Sequence, residues 1–104
     1  MIDTPVVLRV TDVRLSLHRD SDSPILAFAS VVLEDQLLLH GFRLIRSGTR
    51  LVVALPERRG RDGVWRPMVE WLTTRLADDI ARAVIQAYQD ERARPERRFP
   101  GGTG

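Results

Sequence analysis

The chain has 104 residues, 43% hydrophobic and 29% charged, which excludes whole-chain disorder and leaves roughly 90 residues to build one core, too few for two domains. It contains no cysteine, which removes disulfides, thiolate metal sites and cysteine nucleophiles. The formal net charge is +2 while the pI is 10.3. All sixteen basic residues are arginine, a usage that a GC-rich genome also produces, so the informative feature is where the arginines cluster.

The opening Met1 to Pro5 lacks a basic segment followed by a long apolar stretch, and no signal peptide or membrane span is expected. From Val6 to Leu17 the pattern alternates imperfectly, with Val6, Leu8 and Val10 in one phase and Val13, Leu15 and Leu17 in the other. This predicts a strand or a strand pair with a register change near Thr11-Asp12, where a bulge would reset the face. The turn formers from His18 to Pro24 close it. Ile25 to Leu33 and Gln36 to Ile45 are apolar runs separated by Glu34-Asp35, the pattern of a hairpin. Ser47-Gly48 marks the next turn, and Arg50 to Leu55 is a short strand stopped by Pro56. Asp62-Gly63 is a hairpin-turn signal that makes Val64 to Val69 a last, edge-like strand. Thr73 or Thr74 supplies an N-cap hydroxyl for a helix running to about Asp90. Its apolar stripe is Leu76, Ile80, Val84 and Tyr88, joined by Ala83 and Ala87. On the opposite face, Arg75 with Asp79 and Asp78 with Arg82 stand one turn apart as candidate ion pairs.

The expected fold is α+β, an antiparallel sheet of four to five strands followed by a C-terminal helix. Residues 1–90 form the domain and residues 91–104 a basic tail with few core formers, expected to be disordered.

Enzyme chemistry finds little support. His18 and His40 lie far apart with no metal spacing, and His40 reads as a strand histidine that fills a gap or hydrogen-bonds across a sheet. Gly60 to Gly63 lacks the lysine, length and context of a phosphate loop. No catalytic residue, metal, cofactor or small-molecule substrate is expected. The binding signal is the segment from Glu57 to Arg66, which gathers Arg58, Arg59, Arg61 and Arg66 beside Trp65. Guanidiniums near an exposed aromatic grip phosphates and stack on bases. A solvated hairpin whose arginines pair with Glu57 and Asp62, with Trp65 folded onto the sheet, accounts for the same residues, and both readings stand at this point.

These segments resemble the SpoVG septation-protein family from Val10 to about Tyr88. Thr11 to Leu15 matches its T-D-V-R-L opening, and Ala29-Ser30 with Glu34-Asp35 its second strand and acidic turn. Leu39-His40 with Phe42 to Ile45 follows V-H-D-I-R-V-I, and Leu51 to Pro56 follows L-F-V-A-M-P. Arg58-Arg59 falls on a basic pair, and Asp62-Gly63 with Trp65-Arg66 on P-D-G-x-F-[RK]. The chain departs from the family where Glu57 replaces a serine, Gly60-Arg61 replaces T-P, and Val69 to Leu72 replaces A-H-P-I.

The resemblance implies a cytoplasmic bacterial homodimer that binds DNA, in some members RNA, to regulate genes of septation, sporulation or surface traits. Under that reading Arg58, Arg59, Arg61 and Arg66 contact phosphates, with Arg75 and Arg82 on the helix as additions. The alternative is a protein-interaction adaptor in cell division, bound through an apolar edge strand or the stripe around Trp71.

Overall fold

The computed structural model describes residues 7–93. Six strands precede one helix: β1 (Val10–Leu17), β2 (Ile25–Leu33), β3 (Leu37–Ser47), β4 (Arg50–Ala54), β5 (Glu57–Arg59), β6 (Trp65–Pro67) and α1 (Thr74–Arg92). The first four form an antiparallel sheet in sequence order, and β5 and β6 form a separate two-stranded sheet. This is the expected α+β architecture, with one correction: the last strand is only three residues long and joins the preceding polar segment instead of the edge of the main sheet.

The β1 register shift falls between Val10 and Asp12, where the broken alternation placed it. Thr11, left unopposed, has its hydroxyl within 3.4 Å of the Val32 carbonyl and 3.0 Å of the Asp35 amide, which donates to it. That fastens the edge strand to the β2–β3 turn. Glu34 and Asp35 both adopt positive φ, 53° and 54°, the geometry that matches a two-residue hairpin turn to the twist of its strands. Glu34 is held there by Arg9, whose backbone amide (2.8 Å) and guanidinium Nε (3.0 Å) donate to its carboxylate.

Alternation on β2 sends Ala27, Ala29, Val31 and Leu33 to one face, where Phe42 and Leu44 of β3 join them. The α1 stripe of Ile80, Val84 and Tyr88 covers this face. Each fully buried aliphatic side chain, such as Val31, Leu44, Ile80 and Val84, contributes roughly 1.5–3 kcal/mol. Thr73 is the N-cap, its hydroxyl accepting from the Leu76 amide. At the other end Arg92 lies 5.8 Å above the Tyr88 ring. The helix thus runs two residues past its expected end, so positions 91 and 92, assigned to the tail from the sequence, are helical. The expected tail beyond them, residues 94–104, lies outside the described residues.

The helix-face ion pairs also differ from expectation. Arg82 binds Asp79, three residues back, at 3.1 Å, while Arg75 and Asp78 form no ion pair among the described residues. With Arg82 on Asp79, neither expected pair at a spacing of four forms among the described residues.

Candidate nucleic-acid interface

Pro56 is buried and has no N–H to continue a ladder, so β4 stops before it. Its ring packs on Gly41, which has φ +95°; a Cβ there would stand 3.1 Å from Pro56 Cβ. The Pro56 carbonyl accepts from the Met68 amide at 2.8 Å, closing the base of the β5–β6 hairpin. Arg43 fixes this base to the main sheet: its Nη2 donates to the Leu55 carbonyl at 3.1 Å and to the Glu57 carboxylate at 3.0 Å.

Above that base, all six residues of β5 and β6 are exposed. At the tip the Gly63 amide donates to the Gly60 carbonyl (3.0 Å) and the Gly60 amide to the Val64 carbonyl (2.9 Å). Arg61 and Asp62 therefore occupy the centre of the turn, with Gly63 following at φ 81°. The turn is centred one residue earlier than the Asp-Gly pair suggests, because that glycine supplies the left-handed residue after the turn.

The structure gathers Arg58, Arg59, Arg61 and Arg66 on this one hairpin but does not leave them equivalent. Arg66 is gripped by Asp62, Nη2 to Oδ2 at 2.7 Å and Nη1 to Oδ1 at 3.2 Å. That guanidinium, with a further bond from the Val64 amide, holds the Asp62 carboxyl below the usual aspartate range, and Asp62 in turn raises Arg66. Gly60 leaves room for this bridge, since a Cβ there would lie 2.7 Å from Arg66 Nη1. Glu57 is neutralised by Arg43. Arg58, Arg59 and Arg61 have no carboxylate partner among the described residues. The solvated-hairpin account is therefore met for Arg66 alone, and Trp65 is 60% exposed instead of folded onto the sheet.

Arg75 and Arg82 lie apart from this cluster on α1, whose main packing partners are β1, β2 and β4. Arg82 is bound to Asp79, and Arg75 borders an apolar cleft of about 400 Å³ with Leu8, Leu39, Trp71 and Leu72. Trp71, a candidate protein contact from the sequence, is half-buried and stacks on Phe42 at 6.4 Å, whereas Leu72 is 96% exposed. His40 takes the cross-strand role expected of it, with Nδ1 2.8 Å from Ser30 Oγ. No cluster of three metal-ligating side chains exists among the described residues, and no helix there is long and apolar enough to cross a membrane. Sequence reasoning missed Arg43: its partner is fourteen residues away on another strand, and no local pattern signals it.

A family model described as SpoVG matches residues 8–90. The septation protein SpoVG of Staphylococcus saprophyticus is 31% identical over 83 residues, covering 80% of this chain and 81% of the relative. That of Macrococcus caseolyticus is 31% identical over 86 residues, covering 83% and 74% respectively. The family match takes in the four-stranded sheet, the arginine hairpin and nearly all of the helix, and with these relatives beside it the chain belongs to the SpoVG family.

Proposed function

We propose that this chain is a small cytoplasmic regulator that binds nucleic acid through the β5–β6 hairpin and serves septation or sporulation-type gene control, rather than an enzyme. The observation that carries the reading is the state of the hairpin arginines. A two-stranded ribbon standing off its sheet is marginal by itself, and this one presents Arg58, Arg59 and Arg61 without counter-charges among the described residues. Unpaired guanidiniums on an exposed ribbon fit phosphates, and each phosphate contact releases condensed counterions. Arg66 holds the turn through Asp62, and on the helix Arg75 is the secondary contact, since Arg82 is already paired.

A homodimer belongs to this reading. Among the described residues the β1 and β4 edges of the main sheet have no further strand beside them, and Leu37 and Leu72 are exposed at 53% and 96%; a second copy covers such surfaces and doubles the basic patch. Light scattering checks it against the 11.8 kDa chain mass.

The test of the grip is to replace Arg58, Arg59 and Arg61 together by alanine and titrate duplex DNA at several salt concentrations. Affinity is expected to fall and the slope of log affinity against log salt to flatten by about 0.9 per lost contact. The exposed Leu72 beside the apolar cleft favours the adaptor as the second reading. Wild-type-like binding by the triple variant, or protein association indifferent to salt, selects it.

A further inference from the structure

The two faces of the β5–β6 hairpin are chemically different. The register places Arg58 opposite Arg66 and Arg59 opposite Trp65, with Glu57 opposite Pro67. Side chains of directly opposed residues share a face with Cβ atoms about 4.5–5.5 Å apart, so one face carries Arg58 and the bridged Arg66 and the other carries Arg59 beside Trp65. The Trp65 side chain is 60% exposed and, among the described residues, has no ring contact and no hydrogen bond. Arg59 reaches past it toward the turn: its Nη2 lies 3.5 Å from where a Cβ on Gly63 would stand. An open indole face and a guanidinium with no carboxylate partner among the described residues thus sit side by side at the tip of an arm whose tie to the main sheet, through Arg43 and Glu57, lies at its base.

We infer that the Arg59–Trp65 face is a subsite for single-stranded nucleic acid, in which one unpaired base stacks on the Trp65 indole and the adjoining phosphate is held by Arg59. The inference rests on the nucleic-acid reading and narrows it to a strand state. Stacking requires a free π-face, which every unpaired base offers and a base inside a duplex does not. Duplex DNA can therefore use the hairpin arginines but not Trp65. Because stacking ignores the identity of the base, this subsite favours strand state over sequence.

The experiment compares an oligothymidylate of about 12 nucleotides with a duplex of equal length, by fluorescence anisotropy. Trp65→Ala should weaken single-strand binding about 5- to 150-fold, the loss of one stacked base, and leave duplex binding unchanged. Trp65→Phe should restore most of the loss. Trp71→Phe leaves Trp65 as the one indole of the two in the chain, so its emission should be quenched on adding the oligothymidylate; this readout needs no change at Trp65 itself. Equal loss on both ligands with Trp65→Ala, or single-strand binding without quenching, overturns the subsite. If the triple arginine variant loses both ligands while Trp65→Ala loses neither, only the stacking inference fails. If the wild-type chain binds neither ligand at low salt, the nucleic-acid reading fails with it.

Discussion

Replacing Asp62 by asparagine isolates the electrostatic logic of the hairpin. Asp62 does two things: it accepts from the Val64 amide at 3.0 Å, and it neutralises Arg66 through two bonds of 2.7 and 3.2 Å. Asparagine keeps an acceptor for the amide but loses the charge, so the turn persists and a fourth guanidinium is freed. With one additional phosphate contact, the salt slope on duplex DNA should steepen by about 0.9 per chain. Across a fourfold rise in salt, from about 50 to about 200 mM, that extra contact loses roughly 3.5-fold in affinity, so the variant's advantage is greatest at low salt and shrinks by that factor. Arg66→Ala in the otherwise native chain should leave the slope unchanged, because the residue it removes was already paired. Anisotropy titrations of one duplex at several salt concentrations measure all three proteins. A flattened slope for Arg66→Ala, or an unaltered slope for Asp62→Asn, would show that Asp62 does not withhold Arg66 and would refute the division of the arginines.

Phe42 is fully buried, faces Ala29 across the sheet and stacks on Trp71; Phe42→Ala should cost about 3–5 kcal/mol, read by urea denaturation, and a loss below about 1 kcal/mol would contradict its place in the core. The Arg9–Glu34 tie responds to acid. The Arg9 side-chain bond, then its backbone bond, holds the Glu34 carboxyl below the ordinary glutamate range. Because the folded value is the lower one, the tie is intact above that ordinary range and is lost as pH falls through the depressed value. The Arg9 amide resonance should therefore titrate with a midpoint below that of an unpaired glutamate, and a midpoint at or above it would refute the pairing.

Local physics made several elements legible in the sequence. The phase break at Thr11-Asp12 located the bulge, because side-chain direction has period two and an added residue must invert it. The stripe of Ile80, Val84 and Tyr88 and the cap at Thr73 located the helix, because its turns bring residues three and four apart together. The cluster from Arg58 to Arg66 was visible as composition alone.

Tertiary structure decided the rest. Whether β6 extends the main sheet depends on Pro56 seated against Gly41, fifteen positions earlier, and on Arg43 reaching Glu57. Whether an arginine is free depends on rotamers that several carboxylates compete for: Asp79 took Arg82 rather than Arg75, and Asp62 took Arg66 while leaving Arg59 and Arg61 open. Periodicity places a side chain on a face, but the choice of partner across fourteen or more residues is made by the packed chain, where a buried proline and a single buttressing arginine outweigh local propensity.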